Sequence, residues 1–269
     1  SSVVNKYTVT FKDWNGTVLK TQTVEYGANA TAPANPSRPA TAQYTYTFTG
    51  WSGSYTNVKG NVTVTAQYSS VVNKYTVTFK DWNGTVIKSQ SVEYGSSATA
   101  PSDPVRTGYT FTGWSGSYTN IKGNVTVTAT YSINTYTVTF KDWDGTVLAT
   151  RTVNYGSNAT APANPTRTGY TFKGWDKAYT NIEANTIVTA TYTINTYTVT
   201  FKDWDGTVLD TQTVNYGSAA TAPSDPYRVG YKFIGWDKAF SNITSNLTVT
   251  AQYKEIVVNL VGEFNEWNA

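Results

Sequence analysis

Apolar and polar residues alternate without a break from Tyr7 to Lys12: Tyr7, Val9 and Phe11 fall on one face, Thr8, Thr10 and Lys12 on the other. A period of two sends the apolar side chains to one side of an extended chain, so this stretch predicts a half-buried strand. The alternation returns in GYTFTGW at Gly108 to Trp114 and in NVTVTATY at Asn124 to Tyr131, which predict a third and a fourth strand. The second strand ends in VEYG at Val24 to Gly27. Its phase is open, because Val24 and Tyr26 are out of step with Leu19: either a bulge intervenes or these side chains cover the opposite face. Ala30-Thr31-Ala32-Pro33 and then Pro36 follow, without a 3.6-residue apolar period, and predict an extended crossover rather than a helix. The stretches SGSYTNIKG and DKAYTNIEA between the third and fourth strands predict a loop, with Ile121 and its counterparts tucked under the sheet.

The first hairpin closes through Asp13-Trp14-Asn15-Gly16. A two-residue Asn-Gly loop would set Phe11 opposite Lys20 and Val9 opposite Gln22, bringing polar side chains beside the apolar face. A three-residue loop of Trp14, Asn15 and Gly16, built as a type I turn closed by a left-handed glycine, sets Phe11 opposite Leu19. The hydrophobic pattern therefore predicts the pairs Phe11/Leu19, Phe79/Ile87, Phe140/Leu148 and Phe201/Leu209.

These elements recur. The stretch YTVTFKDW, followed by Asn or Asp and then GTV, starts at Tyr7, Tyr75, Tyr136 and Tyr197, and the tryptophan of a GW motif falls at Trp51, Trp114, Trp175 and Trp236. Four tandem units follow: repeat 1 over residues 1–68, repeat 2 over 69–131, repeat 3 over 132–192 and repeat 4 over 193–253, with a tail at 254–269 leading into a further module. Repeat 1 replaces RTGYTF with RPATAQYTYTF at Arg38 to Phe48, which predicts a longer third strand or a protruding loop. Units this small lie near the lower limit for burying their own core. Large rings offset this: repeat 3 alone carries Tyr136, Phe140, Trp143, Tyr155, Tyr170, Phe172, Trp175, Tyr179 and Tyr192. The connectors Ser69 to Lys74, Ser132 to Thr135 and Thr193 to Thr196 are short and lack the glycine of a flexible tether, so neighbours should be held close. The expected fold class is mostly β, four small units forming an elongated array on the order of 100 Å long. Because SSVVNK at Ser1 to Lys6 repeats Ser69 to Lys74, the array is expected to continue beyond Ser1 in a longer protein.

Composition narrows the chemistry. The formal net charge is +3 with no basic block or acidic tail, so neither nucleic acid nor an anionic membrane is an expected partner. There is no cysteine and no histidine, which removes disulfides, thiol catalysis, the commonest general base and the commonest neutral metal ligand. No apolar run reaches the length of a membrane span. Asp142, Asp144 and Gly145, with Asp203, Asp205 and Gly206, resemble part of a calcium loop, but that loop needs more oxygen ligands and a distal glutamate, and a turn accounts for the same residues. Acids elsewhere vary: Glu25 and Glu93 become Asn154 and Asn215, and Asp103 becomes Asn164, so no carboxylate pair for glycoside hydrolysis is in prospect. Trp51, Trp114, Trp175 and Trp236 could stack on sugars, but each follows a glycine at the end of an alternating strand, which favours a core or sheet-edge place. Lys12, Lys80, Lys141 and Lys202 raise a lysine–asparagine isopeptide; they lie on the threonine face, expected to be solvated. No catalytic residue, no cofactor-binding residue and no metal ligand is therefore expected, and no cofactor.

The set DW, Asn or Asp, GT, then VxYG, APxxP, GYxFxGW and NxTVTAxY resembles the Listeria/Bacteroides repeat, the B-repeat of internalin-like bacterial surface proteins, over Tyr7 to Tyr253. The resemblance implies a β-grasp-like unit of about 60 to 70 residues in secreted or wall-attached bacterial proteins, where such repeats serve as spacers and sometimes in adhesion. Ile256 to Asn268, IVVNLVGEFNEWN, departs from the repeat and resembles the opening strand of the starch- and glycogen-binding β-sandwich found beside amylases. That resemblance implies a secreted starch-active or starch-binding parent whose sugar contacts lie outside this stretch. The expected function is thus a non-catalytic extracellular or cell wall-associated spacer, a monomer whose partners are the neighbouring modules of its own polypeptide. The alternative is a carbohydrate-binding or adhesion module.

Overall fold

The computed structural model describes residues 2–258; the tail motif of Ile256 to Asn268 therefore lies mostly outside the described residues. In repeat 1 the alternating segments form β1 (Lys6–Lys12), β2 (Val18–Glu25), β3 (Tyr44–Ser52) and β4 (Val62–Val72). They assemble into one sheet in the order β2-β1-β4-β3. The central pair β1 and β4 is parallel, and the two outer pairs are antiparallel. A parallel centre requires a crossover, and here an extended segment makes it. Repeat 2 repeats the plan with β5 (Lys74–Lys80), β6 (Val86–Glu93), β7 (Tyr109–Ser115) and β8 (Val125–Ile133). Repeat 3 does so with β9 (Thr135–Lys141), β10 (Val147–Asn154), β11 (Tyr170–Trp175) and β12 (Thr186–Ile194). Repeat 4 has β13 (Thr196–Lys202), β14 (Val208–Asn215), β15 (Tyr231–Trp236) and β16 (Leu247–Glu255). The described residues are all-β, four similar four-stranded sheets in tandem. Its chain divides into two compact units, Ser1–Ile133 and Asn134–Ala269.

The core of each repeat lies on one face of its sheet. Val9, Phe11 and Val64 are fully buried, and Val58 from the loop before β4 closes over them with Val24 and Ala30. Ile121, Ile182 and Ile243 take the place of Val58 in the other repeats, as the loop reading expects. The crossover stays extended because it pairs with that loop: Gly27 N–H donates to Val58 O (2.8 Å), Val58 N–H to Ala28 O (3.0 Å) and Ala30 N–H to Tyr55 O (2.8 Å). Those bonds occupy backbone groups that have no neighbouring strand.

The turn is built as its residues predict. Gly16 N–H donates to Asp13 O (2.9 Å), Asp13 N–H to Thr17 O (2.8 Å), and Gly16 is left-handed at φ 87°. The register beyond it is not as predicted. Lys12 faces Val18, but Phe11 faces Lys20, so Leu19 is an extra, bulged residue. The pairs Phe79/Lys88, Phe140/Ala149 and Phe201/Asp210 replace Phe79/Ile87, Phe140/Leu148 and Phe201/Leu209 in the same way. The polar side chains brought to the core face are consumed there: Lys20 Nζ donates to Thr31 O (2.6 Å) and Gln22 Oε1 accepts from Thr31 N–H (3.0 Å). Lys88 and Gln90 hold Thr99 identically. Edge-strand polar groups thus anchor the crossover in repeats 1, 2 and 4, while repeat 3 keeps the same register with Ala149 and Arg151 at those places. The bulge also settles the open phase, since Val24 now lies opposite Tyr7 on the core face and is buried.

A second bulge shifts the phase of β3. Phe48 faces Tyr68 and Trp51 faces Ala66, so Thr49 is the extra residue and both rings reach the same face. The insertion in repeat 1 lengthens β3 to nine residues against seven in β7 and six in β11 and β15.

The connectors are not separate linkers. The last strand runs to Val72 and one residue, Asn73, precedes β5; Asn195 stands alike between Ile194 and β13. Asn73 N–H donates to Gln43 O (2.8 Å), and its carbonyl accepts from Tyr94 N–H of repeat 2 (2.9 Å). Its side chain donates to Thr41 O (2.7 Å) and Ala42 O (3.1 Å) and accepts from Thr45 Oγ1 (2.7 Å). Asn195 donates to Gly169 O (2.9 Å) and accepts from Tyr216 N–H (2.8 Å) and Thr171 Oγ1 (2.6 Å). One asparagine is therefore bonded to two repeats at each of these joints.

Candidate functional site

The turn after the first strand is the chemically densest place in each repeat. Asp13 Oδ1 accepts from Trp14 N–H (2.8 Å) and from the Tyr68 hydroxyl (2.8 Å). Tyr131 bonds Asp81 at 2.7 Å, Tyr192 bonds Asp142 at 2.6 Å, and Tyr253 bonds Asp203 at 2.6 Å. Loss of solvent around these four phenols, then the hydrogen bond to aspartate and its negative charge, push each tyrosine up to about 12, with a nearby arginine opposing. Each phenol keeps its proton at neutral pH and serves as a donor. The third turn residue also closes inward: Asp144 Oδ1 accepts from Thr146 N–H and Asp205 Oδ1 from Thr207 N–H, both at 2.9 Å. These bonds lower the carboxyl pKa of Asp144 and Asp205 below its ordinary value. The carboxylates of the calcium-loop reading therefore carry turn hydrogen bonds. Among the described residues no three acidic, histidine or cysteine side chains form a cluster that could hold a metal ion.

Beside the turn sits a guanidinium between two rings. Arg38 lies 4.3 Å from the Trp14 ring centre and 3.5 Å from that of Tyr46. Arg106 lies between Trp82 (4.0 Å) and Tyr109 (3.6 Å), Arg167 between Trp143 (3.8 Å) and Tyr170 (3.7 Å), and Arg228 between Trp204 (3.9 Å) and Tyr231 (3.7 Å). The arginine arrives on the proline-rich crossover, so it ties that segment to the turn and to the third strand of the sheet. Each such contact is worth about 0.5–1 kcal/mol at an exposed site. The turn tryptophans remain about half exposed, Trp14 at 47% and Trp82, Trp143 and Trp204 at 53%.

The tryptophans singled out from the sequence lie elsewhere. Trp51 packs edge-on against Phe11 (5.1 Å between ring centres) and Phe48 (5.5 Å), and Trp114, Trp175 and Trp236 repeat the arrangement. They flank the core, as the glycine and strand context favours. Lys12, Lys80, Lys141 and Lys202 are half-buried at the ends of the first strands. The rings exposed alike in all four repeats are the turn tryptophans, which the sequence assigns only to a loop. One signal was available: apart from the strand lysine, the arginine before the third strand is the single cation kept in all four repeats. Among the described residues, no helix is long and apolar enough to cross a membrane.

The chain is 27% identical over 263 residues to a Gly-rich membrane protein of Evansella cellulosilytica, with 87% of this chain and 30% of that protein covered. It is 41% identical over 91 residues to Internalin H of Listeria monocytogenes, covering 30% of this chain and 16% of that protein. It thus spans about a third or less of the relatives it matches. Domains 3–4 of a cell surface protein with Streptococcal High Identity Repeats in Tandem share 18% identity, cover 48% of this chain and 98% of that one, and superpose at a TM-score of 0.27, too slight a likeness to carry an argument. The Listeria-Bacteroides repeat domain matches residues 7–73, 75–135, 136–196 and 197–258, so the chain belongs to that family, in four tandem copies.

Proposed function

We propose that this chain is a non-catalytic spacer of a bacterial cell-surface or secreted protein, holding functional modules apart. The observation that carries the reading is the joint: a strand of one repeat runs into the first strand of the next through one asparagine bonded to both. A tether would leave such a residue free, whereas five hydrogen bonds at Asn73 restrict rotation there. Repeats whose stability comes from their own cores and from neighbour contacts suit a structure that grows by unit number. The Internalin H relative and the Listeria-Bacteroides repeat family support an extracellular, wall-associated setting. The starch-module likeness of Ile256 to Asn268 supports a starch-associated parent. Small-angle scattering tests the spacer: an extended monomer supports it, and a compact particle contradicts it.

A second reading, adhesion to carbohydrate, is favoured by one observation, the four half-exposed turn tryptophans. Stacking of sugar on these rings is worth testing because large aromatic surfaces at protein faces are favoured contact points. Titration with glycogen and with mucin-type glycans, followed by tryptophan fluorescence, tests it. No change on saturation, or an unchanged response in Trp143→Ala with Trp204→Ala, removes this reading.

A further inference from the structure

Asparagine followed by glycine occurs twice in the chain, at Asn15-Gly16 and Asn83-Gly84, and both pairs sit in the turn of a first hairpin. The amide nitrogen after an asparagine can close a five-membered ring on the side-chain carbonyl carbon, and glycine puts no side chain in its way. Both pairs are exposed, and nothing lies within 4 Å of a Cβ placed on Gly16 or Gly84. Repeats 3 and 4 carry Asp144 and Asp205 at the same place. The turn treats amide and acid alike. Asn15 Oδ1 accepts from Thr17 N–H and Asn83 Oδ1 from Thr85 N–H, both at 3.0 Å, where Asp144 and Asp205 accept from Thr146 and Thr207 N–H at 2.9 Å. The glycines have φ 87° in repeats 1 and 2 and 90° in repeats 3 and 4.

The closed turn restrains ring closure. Gly16 N–H donates to Asp13 O and Gly84 N–H to Asp81 O, both at 2.9 Å, so the attacking nitrogen is engaged. The side-chain carbonyl it must reach is held toward Thr17 or Thr85 instead. Both bonds have to break before the ring forms.

We propose that Asn15 and Asn83 are latent modification sites: each deamidates through the nitrogen of its own glycine when the turn opens, and the aspartate product rebuilds the turn that repeats 3 and 4 already carry. Gly16 N gives its proton to solvent base and bonds to Asn15 Cγ; the Cγ–Nδ2 bond breaks, and Nδ2 leaves as ammonia with a proton from water. The succinimide then takes up water. Addition at Cγ breaks the new Cγ–N bond and gives aspartate, whereas addition at the main-chain carbonyl carbon breaks the C–N bond there and gives isoaspartate. Asparagine and water thus become aspartic acid and ammonia, with nothing oxidised or reduced. Each conversion removes one from the formal net charge of +3. Only aspartate refits. Isoaspartate routes the backbone through Cβ and Cγ, which lengthens the segment that Asp13 N–H to Thr17 O and Gly16 N–H to Asp13 O must close. Asp144 and Asp205 mark the end point, since the bonds to Thr146 and Thr207 hold their carboxyls below the ordinary pKa, and an ionised carboxylate resists attack.

Ageing the 269-residue chain in mildly alkaline buffer, folded and in urea, beside a synthetic peptide of residues 11–20, tests the proposal. Digestion after lysine releases residues 13–20 and 81–88, isomers that differ in Leu19 against Ile87, and chromatography with mass spectrometry follows the asparagine, aspartate and isoaspartate forms of each. Deamidation at both sites of the folded chain is expected to run about ten- to a thousandfold slower than in the peptide, and at the peptide's rate in urea. Equal rates in folded chain and peptide overturn the control by turn opening. Folded-chain conversion slower than that range overturns the assignment of modification sites. Asn15→Asp with Asn83→Asp, which supplies the product directly, is expected to keep the parent's melting temperature; a lowered one overturns the claim that the turn accepts it.

Discussion

The ends of repeats 3 and 4 share a backbone and differ in what lies on it. Arg167 bridges to Tyr170 and Arg228 to Tyr231, the two glycines have φ within one degree, and both carbonyls accept the same bond from the chain leaving the repeat. Gly169 lies under Tyr216, whereas among the described residues nothing comes within 4 Å of a Cβ placed on Gly230. The lesson is that the ends of repeats 3 and 4 share one backbone shape, while the side chain lying on it comes from the chain that follows. Conformation at the end of a repeat is therefore inherited, while affinity for the next module is set by a few side chains.

The comparison can be broken most forcefully at the glycines. Gly230→Ala should cost about 1–2 kcal/mol for a left-handed alanine. Gly169→Ala should cost that and about 1–3 kcal/mol more, because the Tyr216 ring has to be displaced. Urea unfolding of both variants checks this, and equal costs would mean that the ring does not hold the joint. The next effect is expected from exchanging the joint residues. Asn195→Ile removes the acceptor of Thr171 and should lose about 1 kcal/mol, whereas Ile256→Asn should stay within about 0.5 kcal/mol of the parent. A smaller and equal effect is expected of the clamps: Arg167→Ala and Arg228→Ala should each lose about 0.5–1 kcal/mol, since both arginines act inside their own repeat.

The smallest contrast is with pH. Tyr192 and Tyr253 ionise in the folded chain only near 12, against 10.0 ordinarily. A folded pKa raised above the unfolded one gives stability that is complete below pH 10.0 and is lost as pH rises toward 12, where the unfolded chain has released protons that the folded chain retains. The loss should be alike in repeats 3 and 4. Spectrophotometric titration of Tyr192→Phe and Tyr253→Phe checks this, and a different midpoint for the two repeats would tie the turn to the joint after all.

Strands, turn and repeat plan were legible because each is local: alternation shows a half-buried strand, and Asp-Trp-Asn-Gly names its own turn. The register was not legible, because the bulge at Leu19 and its counterparts leaves no mark on the apolar pattern, and the partners of Lys20 and Gln22 are backbone atoms of Thr31 on a crossover whose path no pattern fixes. The arginine clamp escaped for a similar reason, as Arg38 joins Trp14 to Tyr46 across three segments. The joints were read as connectors since SSVVNK and SINT look like short links; their strand character depends on the third strand reaching back to pair with them. In repeat 1 that reach is visible in the longer β3, where Tyr44 pairs with Val72.

The central claim, that the repeats form a spacer, is tested most directly by small-angle scattering from the 269-residue chain over a range of concentrations. The account predicts a monomer with a largest dimension on the order of 100 Å and a radius of gyration of about 30 Å, unchanged on dilution. A radius of gyration near ~18 Å, that of a compact chain of this length, would contradict it.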